Sequence, residues 1–184
     1  MSVVRMVIDG YGQIELNNCA FRRDGRIEAQ CAPDATDFAT AMVENGMLLA
    51  VDRFARRLKL PTDATLPIAL NYSSEHIYDE RTPGLKNFAL KGQDDFLPRV
   101  GYPSVGDLWT TNCISYDTDE FADDDALTAA LEDLDTTPLY AGYSADGAHL
   151  ISATKPADGP VLRAVEFTTM PDGTPGVKFQ VYSC

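Results

Sequence analysis

The chain has 184 residues, 45% of them hydrophobic, with 15 Lys plus Arg against 28 Asp plus Glu and a formal net charge of -13. That length suits one domain with an ordinary buried core, and the charge repels phosphate backbones and anionic lipid, which argues against nucleic-acid and membrane-surface partners. No stretch approaches the roughly 18 apolar residues of a membrane span, and Met1 to Gly10 lacks the basic region, long apolar core and small-residue cleavage site of a secretory signal.

In chain order, Val3 to Ile8 is a short β-prone run closed by Asp9-Gly10. Gln13 to Leu16 alternates polar and apolar residues up to Asn17-Asn18, and Arg26 to Cys31 alternates again after Asp24-Gly25. Two or three short strands joined by tight turns are expected there. Pro33 to Val43 fits one or two helical turns or a loop. The stretch Glu44 to Tyr72 is the one around which the chain is organised. Asn45-Gly46 opens it, and an uninterrupted apolar run, Met47 to Val51, leads into a polar bend over Asp52 to Arg57. A short run Leu58-Lys59-Leu60, a break at Pro61-Thr62-Asp63 and a second apolar run, Leu66 to Tyr72, complete a strand, turn, strand, loop, strand pattern. Leu48, Val51, Phe54, Ala55 and Leu58 also match helical spacing, but the bracketing Asn45-Gly46 and Pro61 favour strands.

Tyr78 to Val100 is polar and rich in breakers, and reads as a long loop or arm that Phe88, Phe96 and Leu97 would anchor. Gly106-Asp107 introduces one strong strand, Leu108 to Tyr116. Residues 117–135 then hold nine acidic groups (Asp117, Asp119, Glu120, Asp123, Asp124, Asp125, Glu132, Asp133 and Asp135) and no Lys or Arg, leaving a net charge of only -4 for the rest. Leu127, Ala130, Leu131 and Leu134 follow helical spacing, so Asp125 to Leu134 is the best helix of the chain, with Asp123 or Asp124 as its cap. Acid at the far end of that helix opposes its dipole and calls for solvent or a cationic neighbour.

Leu139 to Ser144 and Ala148 to Ala153 flank Asp146-Gly147, and Val161 to Thr169 and Gly176 to Tyr182 flank Pro171-Asp172-Gly173; each pair reads as a hairpin. Asp-Gly occurs five times, at 9, 24, 146, 158 and 172. So many tight reversals favour a mainly β fold, an antiparallel hairpin-rich barrel or sandwich, over a doubly wound one. One short acidic helix (about 123–134) and the arm at about 78–100 complete it. The division expected is a single β-rich domain over 1–184, with an N-terminal β part (1–116), an acidic helical insert (117–137) and C-terminal hairpins (138–184).

No constellation spells a reaction. Ser152-Ala153-Thr154-Lys155 matches the Ser-x-x-Lys of acyl-transfer enzymes, but the companion Lys-Thr-Gly is missing and Ser152 falls at a strand end, so turn chemistry is the better reading. His76 and His149 are far apart in polar settings, and surface or loop histidines are expected rather than a metal or triad pair. Asp117-x-Asp119 fails as an EF-hand because Ala122 and Thr128 stand where Gly and Glu are required. A looser divalent site competes there with a solvated or partner-facing acidic face. Gly10-Tyr11-Gly12 is a turn, not a dinucleotide cradle. Cys19, Cys31, Cys113 and Cys184 have no close pairing, so reduced structural thiols are expected. No metal, cofactor or catalytic residue is assigned.

Charge is segregated. Arg53, Arg56, Arg57 and Lys59 form a basic cluster opposite the acidic one, and the two would either neutralise each other within a monomer or fix how subunits meet. The candidate partner contacts are therefore Arg53, Arg56, Arg57, Lys59, Asp123, Asp124, Asp125, Glu132 and Asp133, with Phe88 and Phe96 on the arm.

Asn45-Gly46-Met47-Leu48-Leu49-Ala50-Val51-Asp52, then Leu58-Lys59-Leu60-Pro61 and Leu66-Pro67-Ile68-Ala69-Leu70, resembles the small β-barrel virion proteins of tailed bacteriophages. Val105-Gly106-Asp107-Leu108-Trp109-Thr110-Thr111-Asn112 resembles a strand start common in them. The resemblance covers about a third of the chain; the acidic segment and the C-terminal hairpins depart from it. It implies a non-enzymatic structural protein, a capsid decoration or cement protein synthesised in the host cytoplasm and resident in the virion. Its partners would be other virion proteins, the major capsid protein among them, and copies of itself. A tail or neck protein is the alternative within that class. A small cytoplasmic enzyme or ligand-binding barrel is the alternative outside it, with residues 78–100 as a lid and His76, Tyr78, Arg81 and Trp109 lining a pocket. A nucleic-acid mimic built on the acidic segment is a third reading.

Overall fold

The computed structural model describes residues 2–6, 14–20, 27–28, 31–73, 89–90, 97–170 and 173–184. The fold is mainly β. The first part of the chain supplies β1 (Val3–Arg5), β2 (Ile14–Ala20), β3 (Ile27–Glu28), β4 (Ala32–Pro33) and β5 (Val43–Glu44). The central stretch supplies β6 (Leu48–Asp52), β7 (Arg57–Lys59) and β8 (Ile68–Asn71), followed by β9 (Ala89–Leu90) and β10 (Val100–Gly101). Then come β11 (Leu108–Thr111), β12 (Ile114–Asp117), helix α1 (Asp124–Glu132), β13 (Tyr140–Tyr143), β14 (His149–Ser152), β15 (Val161–Thr169) and β16 (Pro175–Ser183).

Eight strands form one sheet in the order β1-β12-β14-β13-β15-β16-β11-β2. β11 and β12 are joined by only Asn112 and Cys113, yet lie second from opposite ends of that order. Five strand spacings on a flat sheet would separate them by about 24 Å, whereas the link spans at most about 11 Å. The sheet therefore curls until its two ends meet at this corner, the arrangement of a barrel or half-barrel. The apolar run Leu108 to Tyr116 is thus not the single strand its composition suggests. It bends at Asn112, whose carbonyl accepts from the Ile114 amide at 2.9 Å, and serves both ends of one sheet.

A second, six-stranded sheet runs β3-β10-β8-β6-β7-β4, and β5 pairs with β9 as a two-stranded ribbon. β6 pairs antiparallel with both β7 and β8, as the central stretch predicts. Its apolar run is uninterrupted because both faces are covered. Leu48 and Ala50 point into a large core shared with Trp109, Ile114, Leu162, Phe179 and the helix leucines, while Leu49 and Val51 point into a second core with Phe38, Leu58 and Val100. The pairing is mostly antiparallel, as the turn count implies, but β12–β14 and β4–β7 are parallel.

The turn signals act as expected where they are described. Gly46 (φ 83°) and Gly147 (φ 84°) both take the left-handed backbone open to glycine, and β13–β14 and β15–β16 are the two C-terminal hairpins. Two local expectations change and one open choice is decided. β2 continues through Asn17-Asn18 to Ala20, because it pairs with β11. Residues 35–40 take the loop alternative, as turns, with Phe38 fully buried. The helix starts and ends slightly earlier than its apolar spacing implies. Asp123 is its cap and accepts from the Ala126 amide at 2.9 Å, and Leu127 and Leu131 are its buried face. Phe88, Phe96, His76, Tyr78, Arg81 and most of the 78–100 arm lie outside the described residues, as do the turns at 9–10 and 24–25.

Candidate functional site

Chemistry would draw on buried ionisable groups, and His149 is one of them. His149 opens β14 and alternates with Ile151, so both side chains point inward. It is neither a surface nor a loop histidine: it is fully buried and stacks on the Phe179 ring with centroids 4.9 Å apart. Trp109 Nε1 donates to its Nε2 at 2.9 Å, so Nδ1 carries the proton and donates to the Cys113 carbonyl at 3.0 Å. Burial pushes its pKa down to about 3. Both ring nitrogens are engaged in holding the Asn112–Cys113 corner. Trp109 is likewise fully buried, inside the large core.

Cys113 is the second such group. Burial raises its thiol to about 12, and Arg5 Nη2 approaches Sγ at 3.6 Å. The same guanidinium meets Glu44 at 3.3 Å and Asp146 at 3.7 Å, tying β1, β5 and the β13–β14 turn together. Beside it the Leu48 amide donates to the Gly147 carbonyl at 2.7 Å, joining the two sheets. These groups form a structural seam.

The remaining motifs resolve into local structure. Ser152 Oγ accepts from the Thr154 amide at 2.9 Å, a turn bond. Lys155 Nζ sits 4.2 Å from the centre of the Tyr182 ring and 5.1 Å from that of Tyr140, so the motif holds a cation over two aromatic faces. Among the described residues no group of three or more His, Cys, Asp or Glu is placed to hold a metal ion.

The acidic segment divides into structural and outward-facing members. Tyr116 donates to Asp124 Oδ1 at 2.7 Å, and this bond raises the phenol to about 12. Asp117 accepts from the Asp119 amide, Glu120 from the Ala153 amide and Asp123 from Ala126. Asp125, Glu132, Asp133 and Asp135 are exposed, and the last turn of α1 carries no basic residue. At that end of the helix the Thr136 hydroxyl donates to Asp133 Oδ2, and Glu132 and Asp135 are exposed.

The basic cluster sits on the β6–β7 hairpin. Asp52 Oδ1 accepts from the Ala55 amide at 2.9 Å and Oδ2 pairs with Lys59 at 3.0 Å. The Ala55 bond, then Lys59, hold the Asp52 carboxyl below the usual carboxylate range, and Asp52 in turn raises Lys59. Asp34 and Asp37 add their fields at Lys59, so this side of the molecule neutralises part of its own charge. Arg53 lies over the Tyr102 ring, 5.1 Å from its centre, and donates from Nε to the phenol oxygen at 3.2 Å. Between these fixed groups the tip turns through Arg56 in a left-handed backbone (φ 54°) and projects Phe54 entirely into solvent, at 104% exposure. Arg56 is exposed, while Arg57 and Lys59 are half-buried. The sequence places Phe54 in the polar bend between the two strands, as found; what it does not single out is the ring itself, an aromatic between arginines at a reversal.

Two open depressions flank Tyr143. One, of 350 Å³, runs past Gly142, Ser152, Lys155, Pro156 and Asp158. The other, of 280 Å³, has a mostly apolar lining of Leu66, Pro67, Ile68, Tyr102, Pro103 and Pro160. Tyr102 therefore supports Arg53 on the hairpin and also walls this second groove.

No family model, no curated protein and no solved structure matches the chain.

Proposed function

We propose that this chain is a structural protein of a tailed-phage virion, a capsid-associated decoration or cement protein that works through its outer faces. The observation that carries the reading is the division of its ionisable groups. His149, Cys113 and Arg5 are committed to internal bonds, while Arg53 and Arg56 at the β6–β7 tip and Asp125, Glu132, Asp133 and Asp135 on and just after α1 are exposed on two separate elements. Charge displayed this way sets orientation and partner choice more than affinity. On a lattice of repeated neighbours, modest contacts of this kind sum by multivalency. The partners would be the major capsid protein and copies of the chain itself. Synthesis would take place in the host cytoplasm, and the resemblance of the central strands to virion β-barrels supports the assignment.

Mass spectrometry of purified particles of the encoding phage tests it. Many copies of the chain per particle are expected; absence from the particle overturns the proposal. A handful of copies would move the role from the capsid to the tail or neck.

A further inference from the structure

The Phe54 tip displays an aromatic ring between arginines, and the groove walled by Tyr102 has a mostly apolar lining with carboxylates beside it in the chain. The tip is pre-organised: Asp52, Lys59 and Tyr102 fix its backbone and its first arginine, yet its aromatic ring touches nothing. A rigid aromatic flanked by arginines has the composition of a binding anchor and loses little freedom on docking. The groove supplies a matching socket. Roughly 150 Å³ holds a benzene-sized ring, and the 280 Å³ here is lined chiefly by Leu66, Pro67, Ile68, Pro103 and Pro160. Two exposed acids stand next to it in sequence: Asp63 precedes the lining residue Ala64, and Asp158, which lines the other depression past Tyr143, precedes the lining residue Gly159.

We infer that two copies of this chain associate about a two-fold axis, each inserting Phe54 into the other's groove, with Arg53 and Arg56 against the partner's Asp63 and Asp158. Tyr102 places tip and groove side by side on one face, and a patch carrying both a plug and its socket is self-complementary, as a closed two-fold contact requires. A stable dimer usually buries about 800 Å² per partner. Two aromatic plugs with arginine rims cover less, so the dimer is reversible, in the micromolar range, and weakens as salt screens its rim. This inference gives a geometry to the self-contact named in the virion reading, but the tip and groove that carry it stand without that reading.

Sedimentation of the purified full chain across concentrations, at low and high salt, tests it. Burying one Phe is worth about tenfold or more in an equilibrium constant, and the axis uses it twice. Phe54→Ala should therefore weaken dimerisation about a hundredfold; the residue is fully exposed, so the fold survives, as circular dichroism would verify. Ala64→Arg, which blocks the groove and repels the tip, should do the same. A mixture of the two variants should regain one plug-and-socket contact and associate more strongly than either alone. A wild-type chain monomeric throughout overturns the inference, as does a dimer indifferent to either substitution or a mixture that gains nothing. A monomer would leave the virion proposal standing, and absence from particles would leave the dimer standing.

Discussion

Trp109 Nε1 donates to His149 Nε2 at 2.9 Å inside a fully buried core, and His149 Nδ1–H donates to the carbonyl of Cys113 at 3.0 Å. This chain of bonds links β11 to β14 across the curled sheet and holds the two-residue corner where its ends meet. The imidazole must be neutral for it, because a protonated Nε2 has no lone pair for the indole.

Stability should therefore depend on pH through His149. Its folded pKa is pushed down to about 3 from the ordinary 6.5, so between those values the unfolded chain binds the extra proton. By linkage, stability is fully present above about pH 6.5 and falls as pH drops towards 3, by up to about 1.4 kcal/mol per pH unit. Asp34, Asp52 and Asp63, whose carboxyls are lowered from 3.8, add their own losses only near and below that value. Urea midpoints measured from pH 7 to 4.5 should thus decline in the wild type. His149→Phe should flatten the decline while costing about 1–3 kcal/mol at pH 7, because the Trp109 N–H loses its imidazole acceptor, whereas the Cys113 carbonyl keeps the residue-149 backbone amide at 2.9 Å. An unchanged slope in the variant would exclude His149 as the group responsible.

Gly147 is required for two separable reasons. Its φ of 84° disfavours any side chain, and an added Cβ would lie 2.9 Å from Met47 Cε and 3.0 Å from the Leu48 carbonyl oxygen. Gly173 shares the first constraint (φ 90°) but has open space around it. Gly173→Ala should cost about 1 kcal/mol from backbone strain alone. Gly147→Ala should cost about 1–3 kcal/mol more, because Leu48 and Gly147 join the two sheets and cannot both keep their places. Paired denaturant titrations would measure the difference; equal losses would mean that the seam tolerates a methyl group.

These two sites mark where sequence reading succeeds and where it stops. Asp146-Gly147 announces its hairpin because a left-handed turn is a local demand, met by residue type. The same holds for Asn45-Gly46, for the apolar run of β6 and for the i, i+4 leucines of α1. The break at Asn112–Cys113 is not local. Leu108 to Tyr116 is uniformly β-prone, and only closure of the sheet dictates where it bends. His149 reads as polar by type and proves buried because its partners, Trp109 and Cys113, lie 40 and 36 residues away. Phe54 is a different case: its spacing also fits a helix, and the bracketing Asn45-Gly46 and Pro61 rightly favour the hairpin that Asp52 and Lys59 close, but nothing local says that its ring is left fully exposed.

The acidic helix is anchored by its leucines and only trimmed by its cap. Leu127 and Leu131 are buried against the large core, so Leu131→Ala should cost about 2–5 kcal/mol. Asp123→Ala removes the acceptor for the Ala126 amide and should cost about 0.5–2 kcal/mol. Thermal unfolding followed by circular dichroism would rank the two. If the cap proved the costlier loss, the helix would be held by its first turn rather than by its packed face.

Cys113 should be chemically silent in the native protein. Its thiol is fully buried and pushed up to about 12 from the ordinary 9.0, three pH units that leave about a thousandfold less thiolate near pH 8. Cys184, at the end of the described chain, is exposed, with its Sγ 3.5 Å from the Pro103 carbonyl oxygen. Iodoacetamide at pH 8, read by peptide mass mapping, should label Cys184 within minutes and Cys113 only when urea opens the fold. Arg5→Met should leave Cys113 equally protected, because burial is the larger cause of the shift and Arg5 opposes it. Rapid native labelling of Cys113 would mean that the corner between β11 and β12 opens readily, and the bonds from Trp109 through His149 would then not be what holds the sheet closed.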